Sequence, residues 1–166
     1  MEKGVIIMDI RVLFVCLGNI CRSPMAEAIF RDLVEKEGLS DRIKVDSGGT
    51  GDWHVGNVPH EGTRKLLDRE AVSYEGMFAR QVKEQDWDDF DYIIAMDDQN
   101  IANLNKIRKV LDDSVTVAKL MDFVENPEDV NVPDPYYTGN FEYTYQLVLT
   151  GCVHLLKSIK HTYHIV

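Results

Sequence analysis

The stretch VCLGNICRSP, residues 15–24, sets two thiols and one guanidinium within seven residues, directly after an apolar run. Cys16 to Arg22 is a C-x5-R spacing, with Leu17, Gly18, Asn19, Ile20 and Cys21 between. A thiolate is a strong nucleophile, and a guanidinium is a planar fork that can hold two oxygens of a tetrahedral oxyanion at once. Ser23 and Pro24 read as an N-cap followed by proline at the first helical position, so a helix is expected to begin where the spacing ends. A compact loop closing on a helix N-terminus aims several backbone N–H groups inward, and the helix dipole adds about half a positive charge there. Such a cradle stabilises an anion, either a bound phosphate or the sulfur of Cys16. Gly18 suits a turn that a side chain would obstruct, and Asn19 tolerates left-handed dihedrals. Ser23 is placed to donate to the sulfur. Taken alone, the segment also fits a packed core turn with ordinary buried thiols. A Walker-type nucleotide loop is a poor fit, because no G-x4-G-K-[ST] is present.

A thiolate that displaces an aryl or alkyl oxygen needs a proton donor for the leaving group. Asp134 in VPDPYYTGNF is the best candidate: Pro133 and Pro135 restrict the backbone around it and present its carboxylate at low entropic cost. Tyr136 and Tyr137 follow at once and can wall a slot for an aromatic ring. A polar turn with its tyrosines packed on the last helix is the alternative reading of the same residues.

These groups need elements to hold them. Val12–Val15 and Tyr92–Met96 are nearly continuous apolar runs, expected as central strands covered on both faces. Ile43–Asp46 and Val115–Val117 alternate, which suits strands nearer the edges. Helices are expected over Pro24–Lys36, Pro59–Arg69, Glu84–Phe90, Gln99–Leu111 and Phe141–Lys160. In the last, Phe141, Tyr145, Val148, Leu149, Cys152, Leu155, Leu156 and Ile159 recur at steps of three and four, so Cys152 belongs to the core. Leu120–Val132 is polar and acidic and reads as a surface loop. The alternation of strands and helices predicts an α/β doubly wound parallel sheet with helices on both faces. Such sheets place ligands beyond the carboxyl ends of the strands, where Cys16 falls.

At 166 residues the chain is expected to form one domain over residues 11–166, preceded by a short N-terminal extension, residues 1–10, in which Met8 is a possible alternative start. The balance of 18 basic and 28 acidic residues, net −10, disfavours nucleic acid and anionic membrane as partners. There is neither a stretch apolar enough to span a bilayer nor a secretory leader pattern, and a cytoplasmic protein is expected. Three cysteines make no disulfide scaffold and no zinc ligand set, so reduced thiols and no metal are expected.

VLFVCLGNICRSPMAEAIF together with DPYY resembles the low-molecular-weight protein tyrosine phosphatase family. VDSGGTGDW, the ARQ at Ala79–Gln81 and DFDYIIAMD at Asp89–Asp97 extend the resemblance through most of the chain. It implies a four-stranded sheet, no cofactor, and a phosphotyrosine protein or peptide as substrate, with phosphate as product. Residue by residue, it implies Cys16 as nucleophile, Arg22 as phosphate clamp and Asp134 as general acid and then base. The resemblance also implies that Leu17, Gly18, Asn19, Ile20, Cys21 and Ser23 form the substrate loop, Asn19 and Ser23 also holding the loop and sulfur in place. It further implies that Ser47 supports that network and that Trp53, Tyr136 and Tyr137 line the aromatic slot. A monomer or weak dimer is expected.

The chain departs from the family pattern at Met77, where many members carry a histidine three residues before RQ, so part of the supporting network must be made differently. Thiol-coupled arsenate reductases share the loop but need two further redox cysteines; here only Cys152 follows, on a helix face. Protein arginine phosphatases carry a threonine where Ile20 stands and lack the tyrosine pair. A noncatalytic phosphate-binding or thiol redox-sensing module is the reading from another class. Cys21 gives it substance, because a second thiol can trap oxidised Cys16 as a disulfide.

Overall fold

The computed structural model describes residues 9–108 and 114–166. Four parallel strands, β1 (Ile10–Cys16), β2 (Ile43–Gly49), β3 (Tyr92–Ala95) and β4 (Thr116–Lys119), form one sheet in the order β2-β1-β3-β4. The order reverses direction between β1 and β3, which makes this a doubly wound sheet with its crevice beyond Cys16. The two continuous apolar strands are central and the two alternating ones are at the edges, as their patterns predict.

A strand turns successive side chains to opposite faces, so each central strand feeds two cores. Ile10, Val12, Phe14 and Cys16 from β1, with Tyr92 and Ile94 from β3, face helices α1 (Arg22–Lys36) and α6 (Phe141–Thr162). Leu13, Val15, Ile93 and Ala95 face the other way, toward α3 (Asp86–Asp89) and α4 (Asp98–Ile107), where they meet Trp87 and Leu104. Each large apolar side chain so buried contributes roughly 1.5–3 kcal/mol. The remaining helices are α2 (Glu61–Arg69) and the single turn α5 (Pro135–Thr138). Asp97 opens α4 with a capping box, its Oδ1 accepting from Asn100 N. Among the described residues no helix is long and apolar enough to cross a membrane.

Several boundaries differ from the sequence expectation. Helix α1 starts at Arg22 with Cys21 at the N-cap, so Ser23 is not the cap. Its hydroxyl is engaged elsewhere, and Pro24 sits within the first turn, where a missing N–H costs no intrahelical bond. Residues 84–90 make only the short α3. The expected helix over Gln99–Leu111 begins at Asp98 and is described to Ile107, with residues 109–111 outside the described residues. Strand β1 begins at Ile10, within the span read as an extension, and residues 1–8 lie outside the described residues.

The segment 120–132 is not simply a surface loop. It opens with a 3-10 turn, Leu120–Phe123, whose Leu120 and Met121 are buried, and it ends at the buried Val132. Leu120 lies against α6 at Gly151, where an added Cβ would come within 2.4 Å of its Cγ. Acidic residues between two buried ends hid both anchors. Cys152 is in the core, as its helical register predicts.

Candidate functional site

Cys16 closes β1 and Arg22 opens α1, so the C-x5-R segment is the strand-to-helix crossing at the carboxyl end of the central strand. Its shape is set from outside. The carbonyls of Cys16, Leu17 and Ile20 accept backbone N–H groups from Thr50, Gly51 and His60 at 2.9, 2.9 and 2.7 Å. The carbonyl of Cys21 accepts from Thr63 Oγ1 at 3.1 Å. A peptide's C=O and N–H point opposite ways, so the amides of Leu17, Gly18, Cys21 and Arg22 face away from these partners, toward the inside of the loop.

Asn19 has φ 56°, the left-handed conformation its residue type tolerates, whereas Gly18 does not need positive φ. Gly18 matters for space instead: a Cβ there would sit 3.0 Å from the His54 ring, which would have to give by a few tenths of an ångström. Gly49, at the end of β2, is the more constrained, because its Cβ would meet the Leu17 carbonyl oxygen at 2.9 Å.

Behind the loop a directed hydrogen-bond chain ends on the sulfur. Asn19 Nδ2 donates to Ser23 Oγ at 2.8 Å and to Ser47 Oγ at 2.9 Å. Its Oδ1 accepts from Arg80 N at 3.0 Å, which fixes the amide's orientation. Ser23 Oγ, which accepts from Asn19, also lies 3.0 Å from Cys16 Sγ, to which it donates when the sulfur is a thiolate. Ser47 in turn donates to Glu27 Oε1 at 2.6 Å, and Glu27 pairs with Arg31. Burial raises the Glu27 carboxyl, opposed by the Ser47 bond and by Arg31. Arg31 lies close to the position that the missing histidine at Met77 leaves to other partners, since both border one small surface pocket with Glu27.

Arg22 is 2% exposed. Its Nη1 donates to Asp97 Oδ2 at 2.6 Å and to the Val132 carbonyl at 3.0 Å, and its Nη2 reaches Asp134 Oδ2 at 3.3 Å. Burial disfavours its charge, but Cys16, Asp97 and Asp134 outweigh that and raise it above the usual arginine value. Its Nε is buried with no hydrogen-bond partner among the described residues. Such a donor is costly to leave unmet.

Asp134 caps α5, its Oδ1 accepting from Tyr136 N at 3.0 Å. Cys16, Leu17, Gly18, Ile20, Cys21, Trp53, His54, Asp134, Tyr136 and Tyr137 border one cleft of about 330 Å³. Trp53 is 69% exposed and lies over Gly51, where any side chain would collide with its ring. Tyr136 and Tyr137 meet edge to face at 5.2 Å. Burial first, and then negative charge on Cys16 and Asp134, push the Cys21 thiol up to about 12. All three cysteines are free.

The cleft thus gathers most of the residues singled out from the sequence. Asn19, Ser23 and Ser47 stand behind the loop, and Arg22 runs beneath Asp134. Sequence reasoning missed His54, Asp97, Glu27 and the Val132 carbonyl. Asp97 had a usable signal, since it follows the carboxyl end of a central strand beside the crevice. The others had none.

The chain matches the family described as low molecular weight phosphotyrosine protein phosphatase over residues 11–164. It is 61% identical over 151 residues to the low molecular weight protein-tyrosine-phosphatase YfkJ of Bacillus subtilis, covering 91% of this chain and 96% of the relative. The crystal structure of YfkJ superposes with a TM-score of 0.90, covering 97% of this chain and 99% of that one. The PtpA phosphatase of Staphylococcus epidermidis is 50% identical over 150 residues, 90% of this chain and 94% of the relative. A Drosophila arginine phosphatase structure is also similar, at TM-score 0.82 and 38% identity, covering 90% of this chain and 97% of that one.

Proposed function

The chain belongs to the low molecular weight phosphotyrosine protein phosphatase family, and from that premise we propose that it is a cysteine-dependent phosphatase that hydrolyses phosphotyrosine in proteins or peptides through a cysteinyl-phosphate intermediate. The observation that carries this reading is the convergence of the Cys16 sulfur and the Asp134 carboxylate on one aromatic-walled cleft.

In the first step Cys16 Sγ, as thiolate, attacks phosphorus in line; the S–P bond forms as the bond to the phenolic oxygen breaks, and Asp134 gives that oxygen its proton. Ser23 holds the sulfur's charge before attack and again when sulfur becomes the leaving group. In the second step Asp134 takes a proton from water, whose oxygen displaces sulfur and releases phosphate. The inward amides of the loop and the Arg22 guanidinium hold the three non-bridging oxygens while charge shifts, the electrostatic contribution expected to dominate. The orphaned Nε of Arg22 gains an acceptor when a phosphate enters. A phosphate dianion also competes for Nη2, which releases Asp134 Oδ2 toward the leaving oxygen.

The slot favours an aryl group. Ile20 supplies an apolar edge, and Trp53, Tyr136 and Tyr137 supply flat faces that stand at the cleft's rim. The mechanism uses no cofactor or metal. Reduced, free thiols support action in the cytoplasm, and a monomer or weak dimer is sufficient for a site built from one chain.

The decisive experiment compares phosphotyrosine peptide, phosphoarginine and arsenate in steady state, with acid-quenched mass spectrometry for the intermediate. Turnover is expected for phosphotyrosine, with a phosphate adduct on Cys16. Preferential hydrolysis of phosphoarginine, or thiol-dependent arsenate reduction, replaces this reading.

A further inference from the structure

The Tyr136 ring has two neighbours within the cleft, Tyr137 edge to face at 5.2 Å and His54 at 6.1 Å. Tyr136 belongs to the single helical turn α5, and a third ring, that of His60, packs against it without itself bordering the cleft. The His60 ring stands edge-on to Tyr136 with centroids 5.9 Å apart at 77°. Its other ring neighbour is Phe141, stacked at 5.1 Å and 19°. Phe141 gains that place because residue 62 is glycine: a Cβ there would lie 2.5 Å from the Phe141 ring.

His60 is tied down at two further points. Its backbone N–H donates to the Ile20 carbonyl of the phosphate loop at 2.7 Å. Its Nδ1 accepts from Gly62 N at 3.0 Å and so caps α2. That acceptor role fixes the tautomer with hydrogen on Nε2 and locks the ring plane. One side chain therefore spans the start of α2, the start of α6 and the tyrosine wall, while its own main chain grips the loop.

We propose that His60 is a positioning residue for aryl specificity: its ring, packed between Tyr136 and Phe141, sets the distance between the Tyr136 wall and the phosphate loop. The inference rests on the aryl-phosphatase reading above but concerns binding, so the test need not use turnover. Phenylphosphonate and methylphosphonate carry the same anion and differ only in the group that enters the slot; inorganic phosphate probes the loop by itself.

Two variants separate ring from cap. His60→Asn retains a good capping oxygen and removes the ring, whereas His60→Phe retains the ring and removes the acceptor. Calorimetry on the full chain is expected to show that His60→Asn loses roughly 3- to 10-fold of the preference for phenylphosphonate over methylphosphonate, with inorganic phosphate affinity unchanged. His60→Phe is expected to keep the preference while its Tm falls by roughly 2–4 °C. An unchanged preference in His60→Asn overturns the proposal. So does equal weakening of all three anions, which assigns His60 to the loop, or an equal loss of preference in His60→Phe, which assigns the effect to the cap. A wild type that shows the binding preference but hydrolyses no aryl phosphate refutes the catalytic reading and leaves this one standing.

Discussion

The phosphate loop and the Asp134 turn face each other across the cleft and are built on opposite terms. In the loop, Cys16, Asn19, Arg22 and Ser23 are all buried, and the side chains of Asn19 and Ser23 are spoken for by named partners. The turn is one helical turn long, and its Tyr136 and Tyr137 are 52% and 75% exposed. A nucleophile and an oxyanion cradle gain from fixed geometry, because dipoles already aligned need no reorganisation during reaction. On the proposed reading the wall that meets the leaving group gains from access, since different peptides must enter it and depart. On that same reading the buried side holds the nucleophile and the anion, and the open side, with Asp134 at its edge, meets the leaving group.

Substitutions on each side test that division. Cys16→Ser is expected to abolish turnover, lowering kcat by more than about 10⁵-fold while phosphopeptide binding is retained; appreciable residual turnover by rapid quench removes Cys16 from its role. Asp134→Ala, at the junction of the two regions, is expected to slow phosphotyrosine hydrolysis roughly 10²- to 10⁴-fold and activated aryl esters far less. A rate whose dependence on leaving-group pKa matches the wild type excludes Asp134 as the acid. Asn19→Ala touches no substrate. It strips partners from Ser23, Ser47 and the Arg80 amide and is expected to cost ~1–3 kcal/mol of stability in denaturant unfolding. Its kcat should fall roughly tenfold, about the worth of one misdirected hydrogen bond; full activity means that the loop does not need this chain behind it. Tyr137→Ala is expected to have the smallest effect, raising KM for a phosphopeptide roughly 3- to 10-fold with kcat and Tm unchanged. A larger effect on kcat than on KM makes the open side part of the chemistry.

Both sides were legible in sequence where their signals are local. The C-x5-R spacing at the end of an apolar strand, the residue type at Asn19 and the prolines around Asp134 are local signals, and local signals survive in one dimension. The period of α6 placed Cys152 in the core for the same reason. What escaped was the set of partners. Arg22 reaches Asp97 and the Val132 carbonyl, and Ser47 reaches Glu27, contacts that only the winding of the sheet brings together. Ser23 was misread as a cap because a serine before proline is a good cap in isolation. Here the sulfur and Asn19 compete for its hydroxyl and win.

Asp97 divides its two carboxylate oxygens between opposite sides of the sheet, one anchoring the first turn of α4 and the other gripping the Arg22 guanidinium. The first turn of α4 is thereby yoked to the guanidinium proposed to hold phosphate. If Arg22 holds the anion as proposed, fraying at the beginning of α4, by mutation or by a molecule lodged against it, will be felt as a looser hold, although nothing at the cleft itself has changed.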